Sequence, residues 1–351
     1  MLSICIITKN EAHNLEECLK KIANLGYEIV VVDTGSTDRS KEVALNFTPN
    51  VYDFTWCNDF SAARNFASEK ASNDFILMLD TDEFVTSFQA KQVEALIKKN
   101  PDKVGRMHRN NKFVREGVGF SSNELVSRLY SKRLYHYTGK IHEQIEPLNG
   151  SSYGFYEIPV YTDHSGYDDT LENRKKKAKR NIDLLEASLK EDGEDPYLLY
   201  QLGKAYYYDQ DYVTAVAYFE RVTTYDLNPK LEYVIDMITM YGYAMINAGQ
   251  PQNALLLEGV YDEFSNTADF VFMMGTAYLE NAMFDKAVNE FLLATKIKDC
   301  KMQGVNSYLA YYNIGVILEC LGKIEEARGY YKKCGSYEPA KKRLGMDSNR
   351  F

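Results

Sequence analysis

Three acidic residues stand within four positions, directly after an apolar run of the sequence. Residues 75–79 read FILML, and Asp80, Thr81, Asp82 and Glu83 follow them. Crowded carboxylates repel one another unless a cation or a proton lies between them, and oxygen ligands suit Mg²⁺ or Mn²⁺. The pattern therefore predicts either a divalent-cation site that holds phosphates or solvated acids that cap the next helix.

The apolar run before these acids predicts a strand that is buried on both faces of a parallel sheet. Residues 2–8 and 28–33 predict two more such strands with a helix between them, and connections this short wind a parallel, right-handed sheet. Ligands of open α/β sheets bind beyond the carboxyl ends of the strands. The acids are therefore expected at the mouth of a cleft in an α/β, Rossmann-like domain.

Polar residues also follow the other predicted strands. Asn10 is expected to cap the helix after the first strand. Asp33 precedes a turn with Gly35 and Ser36, whose backbone N–H groups are expected to be free, and this suits the base or ribose of a nucleotide. The alternative is that Asp33 only caps that turn. Arg64, one turn into a later helix, is either a base or phosphate contact or an ordinary surface arginine.

Length and composition exclude several classes of protein. The 351 residues predict two domains, and the net charge of −9 argues against nucleic-acid binding. No apolar run is long enough to span a membrane, and the N-terminus lacks the pattern of a signal peptide. The six cysteines form no C-x-x-C pair, which indicates a reducing cytoplasm. Neither a G-x-G-x-x-G fingerprint nor a Walker A loop is present.

Four motifs occur in a fixed order within the first 83 residues. They are IITKNE at 6–11, VVDTGSTD at 31–38, DFSAARN at 59–65 and LDTDE at 79–83. Together they resemble family 2 glycosyltransferases of the GT-A fold. The resemblance implies a nucleotide-diphospho-sugar donor, usually a UDP-sugar, a divalent metal (Mn²⁺ or Mg²⁺) and inversion at the anomeric carbon.

By position, the resemblance also implies roles for individual residues. Asp82 would bind the metal that bridges the diphosphate, Asp80 would face the ribose or sugar, and Arg64 would contact the base. The nucleoside would be held by Thr8 and Asp33, and the wider set of donor-binding residues comprises Thr8, Asn10, Glu11, Asp33, Gly35, Ser36, Arg64, Asp80 and Thr81.

Two later segments, 137–145 and 161–167, resemble the second half of such domains. Inversion requires a base that accepts the acceptor's proton, and Glu143 is the candidate. His142 would orient the acceptor or the diphosphate, and His164 would be a second metal or phosphate ligand in a closing loop. The alternative is that both histidines are ordinary strand-end residues. This transferase domain is predicted to cover residues 1–167.

The rest of the chain is predicted to be all α-helical. A basic helix is expected to connect the domains over 168–195, with its charges on a solvated face, and residues 196–345 fit tetratricopeptide repeats. A glycine precedes a small alanine by 12 residues in four places, at Gly203, Gly242, Gly275 and Gly315. Small residues are required where the two helices of each unit cross.

The leading hypothesis is a metal-dependent inverting glycosyltransferase whose repeats recruit a peptide or protein acceptor or form a homodimer. A second hypothesis keeps the donor chemistry but makes the acceptor a cell-envelope saccharide or a lipid-linked molecule. A third, from another class, is a non-catalytic repeat scaffold. The sugar, the acceptor atom and the oligomeric state have no signal in the sequence.

Overall fold

A computed structural model describes residues 2–115, 118–164 and 171–345 of the chain. The chain divides into two compact units: residues 1–115 and 121–171 belong to the first, and residues 172–351 belong to the second. Residues 165–167 of the predicted closing loop and residues 168–170 of the predicted connecting helix lie outside the described residues.

The first unit is an α/β domain around an eight-stranded sheet. The strands are β1 (Leu2–Thr8), β2 (Glu28–Asp33), β3 (Val51–Asp53), β4 (Phe75–Leu79), β5 (Glu83–Phe88), β6 (Val104–Arg115), β7 (Val118–Ser131), β8 (Tyr135–Thr138), β9 (Gln144–Pro147) and β10 (Phe155–His164). The helices are α1 (Ala12–Ile22), α2 (Ser40–Leu45), α3 (Phe60–Lys70) and α4 (Ala90–Lys99). The sheet order is β3-β2-β1-β4-β7-β6-β10-β5, and β8 and β9 form a separate antiparallel pair.

The sheet is parallel in its first half and mixed beyond it. Strands β3, β2, β1 and β4 are parallel to one another, as the short strand–helix–strand connections require. Strand β7 is antiparallel to β4, and β5 is antiparallel to β10. The predicted parallel pairing is therefore right for β1 to β4, and the remaining strands make the sheet mixed.

Both faces of the parallel half are buried, which explains the unbroken apolar runs. Ile4 and Ile6 of β1 pack on one side with Leu15 and Leu19 of α1. Cys5, between them in sequence, packs on the other side with the alanines of α3. Alternate residues of a strand point to opposite faces, so a strand between two helical layers is apolar at every position. This confirms the prediction of doubly buried strands.

The second unit consists of helices in the described residues. They are α5 (Leu171–Asp192), α6 (Pro196–Tyr208), α7 (Tyr212–Val222), α8 (Glu232–Asn247), α9 (Pro251–Ala254), α10 (Tyr261–Phe264), α11 (Ala268–Glu280), α12 (Phe284–Ala294), α13 (Tyr308–Cys320), α14 (Ile324–Lys333) and α15 (Glu338–Arg343), with a 3-10 segment at Leu255–Val260. Helices α6 with α7, α11 with α12 and α13 with α14 form packed pairs. No helix among the described residues is long and apolar enough to cross a membrane.

The repeated glycines lie where helices come closest. A Cβ atom on Gly203 would stand 2.6 Å from the Phe219 ring, and one on Gly315 would stand 2.5 Å from the Tyr331 ring. Gly242 differs, because its neighbour is the Met273 sulfur in the following repeat. The partner alanines, such as Ala215, are fully buried. The predicted reason for the small residues, close helix crossing, is thus confirmed.

Candidate active site

Three of the predicted donor-binding residues lie at the carboxyl ends of neighbouring parallel strands, an end of the sheet called here the sheet edge. They meet there because β1 is hydrogen-bonded to both β2 and β4. Thr8 at the end of β1 is in register with Asp33 at the end of β2. On the other side Ile6 pairs with Leu79, the last residue of β4, so Asp80 follows at the same edge. Residues 8, 33 and 80, which are far apart in sequence, are therefore neighbours through strand register alone.

The Thr8 side chain ends in a buried hydroxyl group. Thr8 is 4% exposed, and its Oγ1 atom has no hydrogen-bond partner among the described residues. Its carbonyl oxygen accepts hydrogen bonds from the backbone N–H and the hydroxyl of Thr34, at 2.9 and 3.0 Å. A buried polar atom without a partner is uncommon in a folded protein, so the hydroxyl is a candidate ligand contact.

Side chains already occupy the backbone N–H groups of the turn after β2. Both carboxylate oxygens of Asp33 accept the Ser36 N–H, at 3.3 and 3.1 Å. The Asn10 side-chain oxygen accepts the N–H groups of Thr37 and Asp38, at 2.7 and 3.3 Å. The prediction of free N–H groups is wrong for these three positions. Asp33 caps its turn as the alternative reading foresaw.

Asn10, Glu11 and Ser36 join the first two loops to each other. The Asn10 N–H donates to the Ser36 hydroxyl at 2.9 Å, and the Glu11 N–H donates to the Ser40 hydroxyl at 3.0 Å. Asn10 does not cap α1; a carboxylate oxygen of Asp38 accepts the Ala12 N–H instead, at 3.1 Å. The correction follows from the backbone, because Asn10 has a φ of +54° and lies outside the helix. The turn itself needs Gly35, whose φ is +99°.

Asp80 lies in a cluster of buried ion pairs. Its carboxylate accepts from Arg64, at 2.7 Å, and from Arg128. Arg128 also binds Glu83, at 2.7 Å, and Arg109 binds Glu83 from a second side at 3.1 Å. Burial on its own would raise the pKa of Asp80, but Arg128 and Arg64 hold that pKa well below its usual range. Asp80 is therefore a fixed anion, and its predicted role beside the ribose or sugar stays a prediction.

Arg64 connects Asp80 with Glu143, the candidate base. Its Nε donates to the Glu143 carboxylate, and its guanidinium lies 5.4 Å above the centre of the Tyr137 ring. Arg64 is 5% exposed, and its Nη1 atom has no partner among the described residues. Two of the three guanidinium nitrogens thus point at carboxylates. The third, Nη1, is left for the predicted contact with the base of the nucleotide.

Helix α3 holds the chain segment that carries Glu143. The Asn65 side chain donates to the Tyr137 carbonyl and accepts the Tyr137 N–H, at 2.9 and 2.8 Å. The Ser61 hydroxyl donates to the Gly139 carbonyl at 2.5 Å. Side chains of the DFSAARN motif therefore hold the backbone of residues 137–140 in place through hydrogen bonds. His142 follows in a left-handed conformation, with a φ of +51°, next to Glu143.

Asp82 and His164 form a second pair of polar side chains in the site. The Asp82 Oδ2 and His164 Nε2 atoms are 3.3 Å apart, and the side chains are 22% and 20% exposed. Thr81, between the two aspartates, is buried. Both predicted metal-binding residues are thus adjacent and reachable from solvent, although 82 positions separate them in sequence.

The donor atoms of Asp82 and His164 fit a divalent cation. Carboxylate ligands suit Mg²⁺ and Mn²⁺, and imidazole is a ligand of first-row transition-metal ions; two ligand atoms 3.3 Å apart can share one ion. No group of three or more His, Cys, Asp or Glu side chains placed to hold a metal occurs in the described part of the chain. A cation held here would therefore need further oxygen ligands from its substrate, as a diphosphate supplies.

Sequence reasoning missed the arginines and the amide that surround these acids. Arg109 and Arg128 hold Glu83, whose side chain is completely buried, and Asn111 contacts the His164 ring at 2.9 Å. The available signal was a charged residue inside a strand that is otherwise largely apolar, as Arg128 is within 125–130. Such a residue is buried only when it has partners.

Comparisons with known proteins agree with this geometry. Residues 3–140 match the family model described as glycosyl transferase family 2. Residues 197–226 and 308–341 match models of the tetratricopeptide repeat. The chain therefore carries a family 2 glycosyl transferase domain followed by tetratricopeptide repeats. His142, Glu143 and His164 lie beyond the matched range.

Among the similar proteins are two glycosyltransferases. The SPbeta prophage-derived glycosyltransferase SunS of Bacillus subtilis (strain 168) is 29% identical over 214 residues, which are 57% of this chain and 47% of that protein. An uncharacterized glycosyltransferase of Rickettsia bellii (strain RML369-C) is 30% identical over 148 residues, 40% of this chain and 49% of that one. The chain thus spans about half the length of these relatives.

A solved structure of YrrB, a TPR protein, resembles part of the chain. It is 22% identical and covers 48% of this chain and 82% of its own, with a TM-score of 0.38.

Proposed function

We propose that this protein is a metal-dependent inverting glycosyltransferase that transfers a sugar from a UDP-sugar to a peptide or protein acceptor. One observation carries the proposal: Thr8, Asp33 and the acids after β4 lie at the same sheet edge, where α/β sheets bind nucleotides. The match of residues 3–140 to the glycosyl transferase family supports the reaction class.

The donor would lie along this edge in the order that the strands give. Thr8 and Asp33 would contact the nucleoside. The buried Thr8 hydroxyl has no hydrogen-bond partner among the described residues, and an unpaired buried hydroxyl costs free energy. A hydrogen bond from the nucleoside would remove that cost. Asp82 and His164 would hold Mn²⁺ or Mg²⁺ near the diphosphate. A bound divalent cation neutralises the charge that develops on a leaving diphosphate.

Glu143 is our candidate for the residue that accepts the proton of the acceptor. A general base must lie within hydrogen-bond reach of that proton, and the Glu143 carboxylate currently accepts from Arg64. Arg64 is also held by Asp80, so it stays anchored when Glu143 turns to an acceptor. His142, the preceding residue, would help to orient the acceptor or the diphosphate.

The acceptor assignment depends on the second unit. Stacked helical repeats form extended surfaces that bind other chains, and the two matched repeat segments support a peptide or protein acceptor, or a second copy of the chain. The residues of the proposed donor site do not select the kind of acceptor. Transfer to a cell-envelope saccharide or a lipid-linked molecule is therefore the second hypothesis.

Calorimetric titration with UDP and UDP-sugars, with Mn²⁺ and with chelator, tests the proposed donor site. We expect binding that depends on the metal and that D82N removes. D53N is the matched control, since the Asp53 carboxylate is exposed and pairs only with Lys41 among the described residues; it should bind as the wild type does. E143Q should bind the donor but not transfer sugar. Equal metal-dependent binding in D82N would refute the metal assignment.

A further inference from the structure

The His164 ring is held on both of its nitrogens. Its Nδ1 lies 2.9 Å from the Asn111 side-chain oxygen, and its Nε2 lies 3.3 Å from Asp82. Asn111, in β6, is 7% exposed. Because the two nitrogens of a neutral imidazole differ, one a donor and the other an acceptor, the partner of Nδ1 decides which atom faces Asp82.

The orientation of the Asn111 amide follows from its other neighbours. The amide nitrogen donates to the Glu124 carboxylate and approaches the Ser122 hydroxyl at 3.4 Å. A carboxylate can only accept, so the NH₂ group must face Glu124 and the oxygen must face His164. That oxygen can only accept as well. Asp82 is an acceptor too, but its oxygen lies 3.3 Å from Nε2 whereas the Asn111 oxygen lies at the hydrogen-bond distance of 2.9 Å from Nδ1, so the geometry favours Nδ1 for the proton of a neutral His164 ring.

A proton on Nδ1 leaves the Nε2 lone pair directed at Asp82. Two acceptor atoms 3.3 Å apart repel unless a cation or a second proton lies between them, so the pair is set up for a cation. We propose that Asn111 is a positioning residue that fixes the Nδ1-protonated tautomer of His164 and thereby presents Nε2 to a divalent cation shared with Asp82. This inference rests on the proposed metal site and adds a residue that the sequence motifs do not contain.

The Glu124 carboxylate, which orients the Asn111 amide, is itself held by the buried ion pairs. Glu124 binds Arg109 at 3.2 Å, and Arg109 binds Glu83 at 3.1 Å. The Glu83 carboxylate accepts the Asp80 backbone N–H at 3.1 Å. A continuous chain of contacts thus runs from Asp80 to the ring of His164. Partners of this kind behind a metal ligand fix its tautomer, and their loss commonly weakens metal binding 10- to 100-fold.

The tautomer can be read directly from metal-free protein. Long-range ¹H–¹⁵N correlation spectra of protein labelled with [¹⁵N]histidine at pH 8.5 distinguish protonated from unprotonated ring nitrogens, and H164Q assigns the signal among the five histidines. We expect Nδ1 to be protonated and Nε2 unprotonated in the wild type. In N111L, which lacks the acceptor, the signal should move to an average of the two tautomers.

A double variant separates positioning from packing. In N111D/E124Q the hydrogen-bond donor and acceptor between positions 111 and 124 exchange places. The carboxylate at position 111 then accepts from His164 Nδ1, and the amide at position 124 donates to that carboxylate. We expect N111L to bind Mn²⁺ about tenfold more weakly, and N111D/E124Q to recover both the tautomer and most of the affinity. A merely structural role for Asn111 would not give this recovery. Urea unfolding of each variant checks that it is folded.

The outcomes distinguish this inference from the proposed function. An Nε2-protonated ring in the wild type, or an unchanged tautomer and Mn²⁺ affinity in N111L, would overturn the role of Asn111. A wild type that shows the expected tautomer but binds no Mn²⁺ would overturn the metal site, and with it the purpose that we assign to the tautomer.

Discussion

Replacing Arg128 with methionine is the sharpest test of the buried ion-pair cluster. Arg128 is 8% exposed and donates to two carboxylates, those of Asp80 and Glu83. Methionine keeps the length and the apolar volume of the stem, so the change removes the charge and little packing. Breaking a buried ion pair on one side costs about 3–5 kcal/mol because the other charge is left behind.

The geometry places the expected cost of R128M at the lower end of that range. Asp80 keeps Arg64, and Glu83 keeps Arg109, so neither carboxylate loses its last cation. We expect the free energy of unfolding of the first unit to fall by about 3 kcal/mol at pH 7, a change of about 150-fold in its unfolding equilibrium. With a urea m-value of about 2 kcal/mol/M for a unit of this size, the midpoint should fall by about 1.5 M.

The effect should also depend on pH. Burial opposes the charge on Asp80, but Arg128 and Arg64 hold its pKa well below the usual value. A carboxylate with a lowered pKa stabilises the folded state above its unfolded pKa of about 4, and this contribution is lost as the pH falls. In R128M, Asp80 has one arginine fewer, so its charge contributes less stability that a falling pH can remove. The difference between R128M and the wild type should therefore stay near its pH 7 value down to about pH 4, and should narrow only below that, as the pH falls toward the lowered folded-state pKa of Asp80.

Trp56 makes the assay specific for the first unit, because it is the single tryptophan of the chain and lies in that unit. Urea unfolding followed by its fluorescence reports this unit alone. R133M is the matched control: Arg133 is 79% exposed and only 3.4 Å from Asp74, and exposed pairs contribute at most about 1 kcal/mol. A cost below about 1 kcal/mol for R128M, or an equal cost for R133M, would refute the reasoning.

Three further predictions concern other parts of the molecule. T8V removes the buried hydroxyl of Thr8, which has no partner in the described part of the chain, so unfolding should show equal or greater stability, whereas UDP should bind about fivefold more weakly in calorimetry, a loss of about 1 kcal/mol; unchanged affinity would remove Thr8 from the donor site. G203A places a Cβ atom 2.6 Å from the Phe219 ring, whereas G259A meets no atom within 4 Å; circular dichroism should show that G203A destabilises the repeats by about 1–3 kcal/mol and that G259A does not, and equal effects would contradict the close crossing. Cys57 and Cys320 are exposed while Cys5 and Cys18 are buried, and burial raises the pKa of both buried thiols; a thiol reagent at pH 8 should therefore modify Cys57 and Cys320 first, as peptide mass spectrometry would show, and rapid labelling of Cys5 or Cys18 would contradict the packing.

The sequence was informative where backbone pattern decides the structure. Unbroken apolar runs at 2–8 and 75–79 predicted doubly buried strands, because a strand with a helical layer on each face has no polar side. The constant 12-residue offset from Gly203 to Ala215, and at the other repeats, predicted helix crossings in the same way. Both signals are local, so no knowledge of distant contacts was needed.

The second half of the sheet could not be predicted in this way. Strands β6, β7 and β10 mix polar and apolar residues without a regular period, and their pairing order depends on contacts between segments that are far apart in the chain. The antiparallel pairing of β7 with β4 joins Phe75 to Ser131, and no local pattern records it. The parallel pairing predicted from the strand–helix–strand units therefore does not extend to these strands.

The candidate site shows the same division. Asp80 and Asp82 were found because the acids stand at the end of an apolar run, and Thr8 was found because its position matches a motif of the family that the sequence resembles. Arg128 and Asn111 contact these acids or His164 only through the three-dimensional arrangement of β6, β7 and β10. The expectation of free N–H groups after Asp33 failed because the Asn10 side chain, on a different loop, accepts two of them.

The most direct test of the central claim is the release of UDP from UDP-sugars by the purified 351-residue chain, measured with Mn²⁺ and with chelator. Transferases of this kind are expected to hydrolyse their donor slowly when water replaces the acceptor, so the acceptor need not be known. The account predicts that at least one UDP-sugar releases UDP with Mn²⁺, and that chelator or D82N abolishes the release while D53N does not. Release that is unaffected by chelator and by D82N, or no release from any nucleotide-sugar, would contradict it.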